Sequence, residues 1–275
     1  LHVEYRDVIE TDDMKELQQT DLENDHLVIH HVNDEGELTE NNHSESENLN
    51  TEDDHVNNFD TTTASPFAMI MSNDEADFEW EVNPDNNTTV RITGYIGTST
   101  DITIPDTLDG KAVTQISTNA FSEKGLTSVV IPDSVISIGI NAFGYNHLTT
   151  VTIPNSVEII NNFAFRNNQL NQIVLGNSVK EIRAGAFESN KLTEINFPNS
   201  LETIGAYAFS DNDLTQLIIP DSVTSIGGFA FLYNKLTTAK LSENLTEISS
   251  ALFQGNRLTE IEIPQSVTII HSNAF

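Results

Sequence analysis

The sequence predicts a repeat solenoid, and three columns of residues carry this prediction. Phenylalanine recurs every 22 residues without an insertion, at Phe121, Phe143, Phe165, Phe187, Phe209, Phe231, Phe253 and Phe275. Leucine recurs with the same period from Leu126 to Leu258, and proline follows six residues later in five of seven rows. A fixed period of this length is typical of proteins built from stacked coils.

Each repeat begins with a short strand. In the first regular repeat, the apolar residues Val129 and Ile131 alternate with Ser128 and Val130, which is the pattern of a strand with one buried face. Pro132 then ends the strand, because proline lacks the N–H group that a β ladder needs. We expect short parallel strands along one face of the solenoid.

The middle of each repeat predicts a short helix or a pair of 3₁₀ turns. Val135, Ile138, Ala142 and Phe143 have the spacing i, i+3, i+7 and i+8, which places them on one helical face. Serine precedes this segment in six of seven rows, as at Ser134, and serine is a good helix cap. We therefore expect helical or 3₁₀ turns on the side of the coil opposite the strands.

Each repeat closes with an asparagine. These residues are Asn146, Asn168, Asn190, Asn212, Asn234 and Asn256. A buried amide can satisfy the backbone groups of the bend that returns the chain to the next strand, and it can also reach its neighbour in the next coil. The sequence therefore predicts an asparagine ladder.

The repeat consensus "IPxSVxxIxxxAFxxNxLT" resembles the BspA-like class of bacterial leucine-rich repeats over roughly residues 100–275. Its "AF" and "IP" columns are specific to that class. The family usually has cysteine where this chain has asparagine, as at Asn146, so no thiol chemistry carries over. The resemblance implies a leucine-rich repeat module of a cell-surface or secreted bacterial protein that binds proteins, often as an adhesin. It identifies no ligand.

Composition divides the chain into three parts. Residues 1–76 are crowded with Asp, Glu, Asn and His, and they predict an acidic, largely disordered segment because they can bury too little apolar surface. Within this segment we expect residues 25–32 to form a strand and residues 65–71 to dock on the first coil. Residues 77–115 predict an N-terminal β cap and an irregular first repeat. Residues 116–275 predict regular leucine-rich repeats, the last of them truncated.

The predicted cap is a β-hairpin. Phe78, Trp80 and Val82 alternate with glutamates before the turn "NPDNN", and apolar residues alternate again beyond it. We expect Trp80 and Tyr95 to cover the apolar end of the first coil.

The net charge of −30 excludes several classes of partner. Nucleic acid and anionic membrane surfaces both require Lys and Arg, so neither is expected as a partner. No run of eighteen apolar residues occurs, so we expect no membrane insertion in this segment. The chain has no cysteine, and stability must come from the stacked core.

The repeats predict no enzyme and no cofactor. None of the motifs "GxSxG", "HExxH" or a phosphate-binding glycine loop occurs, so no catalytic residue is assigned. The acid pairs Asp211/Asp213 and Glu260/Glu262 are interpreted as solvated side chains, with a calcium contact or a glycosidase-like pair as the alternatives. Six of the eight histidines lie in residues 1–76, with a spacing that resembles no defined metal site.

The candidate functional residues are those that point outward from the predicted strands, and we call them the strand face. They are Ser128, Val130, Thr150, Thr152, Gln172, Val174, Glu194, Asn196, Gln216, Ile218, Thr238, Lys240, Glu260 and Glu262. This set varies from coil to coil while the core columns stay fixed, as expected for a scaffold that presents a recognition surface. Val130, Val174 and Ile218 form a broken apolar stripe, although β-branched residues are also simply good strand formers.

A threonine column precedes the strands, from Thr127 to Thr259. It could present a flat array of hydroxyl groups to ice or glycans, but we interpret it as stabilising the turn before each strand.

Three functions are compatible with these patterns. The first is a non-catalytic module that binds a host, matrix or other surface protein at the cell surface or outside the cell. The second is a structural spacer within a larger surface protein. The third is a targeting module for an enzyme that lies outside this sequence.

Overall fold

The structure is a computed structural model that describes residues 2–3, 27–32, 38–39, 67–71 and 75–275. The chain divides into two compact units, Leu1–Ser72 and Asn73–Phe275.

In the first unit the described residues form an antiparallel sheet in the order β1-β4-β2-β3. Its strands are β1 (His2–Val3), β2 (Leu27–Val32), β3 (Leu38–Thr39) and β4 (Phe67–Met71). The strand expected within residues 25–32 is thus present as β2. Of residues 65–71, which were expected to dock on the first coil, residues 67–71 form β4 and pair with β1 and β2, and the docking itself stays a prediction. The expected disorder of the rest of this segment lies outside the described residues.

The second unit begins with the predicted hairpin. A 3₁₀ turn, Glu75–Asp77, leads into β5 (Phe78–Asn83), which pairs antiparallel with β6 (Asn86–Tyr95). The ring of Tyr95 lies 5.9 Å from that of Phe121 between centroids, and the ring of Phe78 lies 6.2 Å from it. Trp80 packs against the same core while remaining partly buried. The hairpin therefore covers the apolar end of the first coil, as the sequence predicts.

The irregular first repeat joins this cap to the regular coils. It contains β7 (Asp101–Thr103), β8 (Thr107–Leu108) and β9 (Lys111–Ile116). Asp109 and Gly110 both have positive φ, at 49° and 68°, as a tight turn between antiparallel β8 and β9 requires. Strand β9 pairs in parallel with both β6 and β11 (Ser137–Ile138), which makes the sheet continuous from the cap into the coils.

Two columns of short parallel strands run along the coils. The first column consists of β10 (Ser128–Val130), β12 (Thr150–Thr152), β14 (Gln172–Val174), β17 (Gln216–Ile218) and β19 (Thr238–Lys240). The second consists of β11, β13 (Ile159–Ile160), β15 (Glu181–Ile182), β16 (Thr203–Ile204), β18 (Ser225–Ile226), β20 (Glu247–Ile248) and β21 (Ile269–Ile270). The pairing joins equivalent positions of successive coils, so the repeat of the sequence is also the repeat of the ladder.

The middle of each repeat has 3₁₀-type turns, one of the two predicted alternatives, and it also contains the second strand column, which the sequence did not predict. Val135, Ile138, Ala142 and Phe143 are buried, as their spacing indicates. The 3₁₀-type contacts are single turns, such as the bond from the N–H of Ala142 to the carbonyl of Gly139 at 3.3 Å. The N–H of Phe143 instead donates to Ala164 in the next coil at 2.8 Å. No helix propagates, because alternate N–H groups of the segment donate hydrogen bonds to the neighbouring coil and not within the segment. Within the described residues, no helix is both long and apolar enough to cross a membrane.

Left-handed residues make this pattern of bonding possible. Asn141 and Tyr145 have φ of 53° and 58°, and most other coils have positive φ at the same two positions. Their N–H groups, like that of Phe143, donate to the following coil, at 2.9 Å in both cases. The left-handed geometry therefore directs three alternate N–H groups of one coil toward the next.

The phenylalanine column forms the centre of the core. Neighbouring rings stack with centroids 5.1 Å apart at Phe121 and Phe143, rising to 6.0 Å at Phe253 and Phe275. From Phe121 to Phe253 every ring of the column is buried. This burial explains why no coil in the array replaces the residue.

The predicted asparagine ladder is present, and it bonds to backbone rather than to other asparagines. Asn168 accepts a hydrogen bond from the N–H of Leu148 at 3.0 Å and donates to the carbonyl of Phe143 at 2.9 Å. Phe143 belongs to the preceding coil, and Leu148 begins the coil that Asn168 closes. Asn168 also donates to Phe165 in its own coil at 3.2 Å. Each amide thus ties the bend of its coil to the coil before it.

The serine column does not cap helices, which corrects the second part of that prediction. Ser156 donates through Oγ to the carbonyl of Val135 at 2.5 Å, and Ser200 donates to Val179 at 2.7 Å. Both acceptors lie in the preceding coil. Serine is useful here because its short hydroxyl reaches a backbone carbonyl that the strand pairing leaves open.

Candidate protein-binding face

All fourteen residues of the strand face are exposed. In β10, β12, β14 and β17 the outer two residues are exposed and the central one is buried, which is the predicted alternation. The prediction of which side chains point outward follows from the two-residue period of a strand. Whether these side chains bind a partner stays a prediction.

Five of the seven predicted rows form strands, and two do not. Residues 194–196 and 260–262 form no strand, which corrects the expectation of a strand in every repeat. The paired strands are β7 with β10, β12 with β14 and β17 with β19, so the face consists of separate two-stranded pieces. In the last row Leu258 and Ile261 are only partly buried, so weaker packing holds that row against the coil before it.

The unpaired row of residues 194–196 coincides with a larger core residue. The column that contains Ile153, Leu175 and Ile219 has Phe197 in the row of residues 194–196. Its ring meets Phe209 edge-on, with centroids 5.5 Å apart and an interplanar angle of 74°. A phenylalanine ring needs more room than a branched aliphatic side chain, which explains why this row does not pair with its neighbours.

A hollow of about 250 Å³ lies at this interruption, between the row of β14 and the next row. The side chains at its rim are Gln172, Val174, Asn177, Glu194, Asn196 and Pro198. Ile173 and Leu175 on its floor are 9% and 8% exposed, whereas Val151 and Ile153 of the preceding coil are 3% and 1% exposed. The hollow therefore opens the core slightly toward the strand face. We call it the mid-face hollow.

The apolar stripe of the strand face is exposed but discontinuous. Val130, Val174 and Ile218 are 41%, 51% and 66% exposed, on alternate coils. Thr152 and Asn196 occupy the equivalent positions between them. The stripe thus consists of three separate apolar contacts within a polar surface.

Acidic groups outnumber basic groups on this side of the coils. The strand face has Glu194, Glu260 and Glu262 against Lys240. The exposed column just after the prolines adds Asp133, Asp221 and Glu243 and no base.

The two acid pairs singled out in the sequence lie apart from any enclosed site. Asp213 forms an ion pair with Lys235, with 2.6 Å between Oδ1 and Nζ, while Asp211 and the pair Glu260/Glu262 are exposed. Among residues 75–275 and the four described strands before them, no three His, Asp or Glu side chains are placed to hold a metal ion. The calcium alternative therefore has no cluster to support it in the described part of the chain.

Sequence reasoning missed an aromatic cluster on the side of the turns. The rings of Tyr207 and Phe229 stack with centroids 4.7 Å apart and 1° between their planes. The guanidinium of Arg166 lies 5.3 Å from the ring centroid of Phe163 and 6.0 Å from that of Tyr145. The available signal was the 22-residue register, which places Phe163, Tyr207 and Phe229 in one column.

Arg166 also pairs with a partly buried carboxylate. Its Nε lies 3.1 Å from Oε2 of Glu188. Burial raises the pKa of Glu188, Arg166 lowers it, and Asp211 adds a further upward contribution. The burial of Glu188 prevails, so this carboxyl group has a raised pKa although it has a cationic partner.

A second hollow, of about 440 Å³, lies beside the N-terminal cap. Glu79, Glu123 and Lys124 contribute charged groups to its lining, and Asn119 and Asn141 contribute amides. The amide of Asn141 donates to Oδ1 of Asn119 at 2.8 Å, so these two groups already satisfy one another.

Comparison with known proteins identifies the repeat family. The model of the BspA type leucine rich repeat region matches six copies in this chain, over residues 114–231 and 158–275. The chain belongs to the BspA-type leucine-rich repeat family. No curated protein sequence matches this BspA-type chain.

Two solved bacterial structures resemble this BspA-type chain. The leucine-rich repeat protein of T. pallidum is 28% identical with a TM-score of 0.53, and the match covers 72% of this chain and 86% of that protein. A leucine-rich repeat protein of Bacteroides ovatus is 24% identical with a TM-score of 0.51, and the match covers 72% of this chain and 49% of that protein. The predicted leucine-rich repeat solenoid is confirmed by these matches.

Proposed function

We propose that this BspA-type chain is a non-catalytic protein-binding module of a secreted or surface-anchored bacterial protein, and that it binds its partner through the strand face. One observation carries the proposal. The fourteen exposed residues of this face vary from coil to coil, whereas the Phe, Leu and Asn columns beneath them are almost invariant. Variation on a rigid, regular support is what a recognition surface requires.

The composition of the face supports a protein partner. Val130, Val174 and Ile218 offer apolar contacts that a partner can cover, and the surrounding threonines, glutamines and acids offer hydrogen bonds and charge. An interface of this kind has apolar anchors within a polar surround. Adhesion to a host or matrix protein is the specific form of this function that the family suggests, and the same family supports a location outside the cell or at its surface.

The module is proposed to be non-catalytic because the strand face lacks the groups that catalysis uses. Its fourteen residues include neither histidine nor cysteine, and its acids are exposed. An exposed carboxylate lacks the enclosing pocket in which a general acid works.

A structural spacer is the second candidate, and the regular stacking favours it. Every coil from Phe121 to Phe253 repeats the buried ring, and buried asparagines tie successive coils together. A spacer needs such regularity and no ligand. A targeting role for an attached enzyme would use the same strand face, so the same experiment addresses it.

The experiment is capture of extracellular-matrix and cell-surface proteins by the immobilised full chain, with calcium and then with a chelator. The test variant replaces Val130, Val174 and Ile218 with serine. The matched control replaces three exposed apolar residues of the other side, Ile136, Ile140 and Tyr145, with serine.

We expect the test variant to lose at least tenfold in affinity for the captured protein, since each buried apolar anchor contributes about 1 kcal/mol or more. The control should bind like the unmodified chain. Equal binding by the test variant would refute the strand face as the binding surface. Absence of any saturable partner, with and without calcium, would support the spacer.

A further inference from the structure

The row of residues 194–196 differs from its neighbours in its hydrogen bonding. Strand β14 on one side pairs with β12, and β17 on the other side pairs with β19. Within the described residues, the backbone groups of Glu194, Ile195 and Asn196 make no hydrogen bond to another backbone group. The row nevertheless stays in contact with both neighbouring coils, since the N–H of Lys191 donates to Leu170 at 2.9 Å and the N–H of Thr215 donates to Thr193 at 3.3 Å. It is therefore the exposed side chains of Glu194 and Asn196, and not the backbone, that are open to a partner.

Phe197 distinguishes the row of residues 194–196, which pairs on neither side, from the rows of β10, β12, β14 and β17, each of which pairs on one side. Phe197 remains partly buried, whereas the aliphatic residues of the same column in the adjacent coils, Leu175 and Ile219, are buried. The ring is held by its edge-on contact with Phe209. The opening is therefore produced by a core residue and does not depend on a surface loop.

The chemistry of the mid-face hollow selects one kind of side chain. Glu194 contributes the one carboxylate of its lining, and no basic residue lines it. The other polar groups are the amides of Gln172, Asn177 and Asn196, which can accept as well as donate hydrogen bonds. The bases nearest along the chain are Lys180 and Lys191, and both reach toward the preceding coil, where Nζ of Lys180 lies 2.9 Å from Oε2 of Glu158 and Nζ of Lys191 lies 3.5 Å from Oε1 of Gln169. Val174 and Pro198 add apolar surface to the rim. Apolar walls with acceptors around them suit a long side chain that ends in a cation.

We infer that the mid-face hollow receives a lysine or arginine side chain from an extended segment of the protein partner. The cation lies at the Glu194 carboxylate, and its aliphatic stem lies along Val174 and Pro198. The excess of acids on this side of the coils attracts such a partner. This inference rests on the proposed function, because it names the partner chemistry of the same face.

The test is an NMR titration of the isotope-labelled full chain with the peptide Ac-Thr-Val-Arg-Val-Thr-NH₂. The amide chemical shifts of the chain are measured at each peptide concentration. The matched peptide has glutamine in place of arginine. We expect shifts confined to residues 172–177 and 194–198, and affinity for the arginine peptide about fivefold above that for the glutamine peptide.

Two variants separate the charge from the shape of the hollow. Glu194→Gln removes the charge, and Phe197→Ile restores the aliphatic column and should close the hollow. We expect each variant to lower the affinity for the arginine peptide about fivefold. The control Glu202→Gln makes the same charge change at an exposed position just before β16, in the second strand column, and should leave the affinity unchanged.

Several outcomes would overturn the inference. Equal affinity for the two peptides would indicate a neutral peptide site, shifts elsewhere would place the site outside the hollow, and shifts that depend on protein concentration alone would indicate a second copy of the chain. If Glu194→Gln and Phe197→Ile both keep full capture of the partner while the triple serine variant loses it, the inference fails and the proposed function stands. If the triple variant also keeps capture, both fail.

Discussion

The side-chain amide of Asn190 donates to the carbonyl oxygen of Phe165, one coil earlier, over a distance of 2.9 Å. The same amide accepts from the N–H of Leu170 at 3.0 Å and donates to Phe187 at 3.1 Å. One buried side chain thus satisfies the backbone of two coils at the bend where neither coil has a strand. The asparagine column holds the stack together on that side.

Replacement of Asn190 with alanine should therefore destabilise the solenoid by about 2–4 kcal/mol, because it leaves buried backbone groups without partners. Urea unfolding followed by circular dichroism measures the loss. The control is Asn199→Ala, an exposed residue in the turn after Pro198, for which we expect a change within about 0.5 kcal/mol. Equal effects of the two substitutions would contradict the structural role of the ladder.

Replacement of Phe187 with alanine should cost about 3–5 kcal/mol, since the ring is fully buried and stacked between two others. Phe229 provides the comparison, because it is partly buried outside the core column and stacks on Tyr207. We expect Phe229→Ala to cost about 1 kcal/mol. An unfolding curve that Phe187→Ala leaves unchanged would refute the assignment of the core column.

Gly185 should not tolerate alanine, for two separable reasons. Its φ is +61°, and a Cβ atom there would overlap the ring of Phe163. Gly125 has φ of +71° with open space around it, so Gly125→Ala measures the backbone cost alone. We expect a loss of about 1 kcal/mol at Gly125 and about 2–4 kcal/mol at Gly185.

The double variant Phe163→Ala with Gly185→Ala tests the steric part. Removing the ring makes room for the new Cβ atom, so the double variant should lose less stability than the sum of the two single variants. Additive losses in urea unfolding would show that the ring of Phe163 does not press on position 185.

Glu188 should make stability depend on pH in the direction opposite to that of a typical ion-paired acid. Burial raises its pKa above the ordinary value of 4.5 despite Arg166. The folded state therefore holds this proton more tightly than the unfolded state does. Its contribution is fully present below about pH 4.5 and is lost as the pH rises through the raised folded pKa.

The measurement is the difference in unfolding free energy between the unmodified chain and Glu188→Gln across that range. Relative to the variant, the unmodified chain should gain stability as the pH falls from about 7 toward about 4.5. A difference that moves the other way would show that the ion pair with Arg166 outweighs the burial of Glu188.

The strand face shows which features of the structure a residue pattern predicts. Ser128 and Val130 were assigned outward from the alternation around Val129, and the structure places them there. Alternation within three residues is a local property of a strand, so it can be seen in the sequence. The missing strand at residues 194–196 could not be seen in that way, since Glu194 and Asn196 follow the same alternation as their neighbours. The effect of Phe197 depends on its contact with Phe209, twelve residues later.

The middle of the repeat illustrates the same limit. The spacing of Val135, Ile138 and Ala142 identifies buried positions correctly, but it fits a helical face as well as a strand followed by a tight turn. The choice between them is made by the N–H groups of each turn, such as that of Phe143, which find acceptors in the next coil. Those acceptors exist only when another coil is stacked in register.

The sequence by itself therefore determined the period, the buried columns, the cap and the outward positions, because each of these follows from which residues of a single coil avoid water. The tertiary structure decided what depends on the contact between coils. It chose turns over a short helix in the middle of each repeat and added a second strand column there, directed the asparagine amides to the backbone of the preceding coil, and formed the mid-face hollow beside Phe197. Hydrogen bonds and packing between coils join residues that are about one period apart, and the residues of one repeat do not specify them.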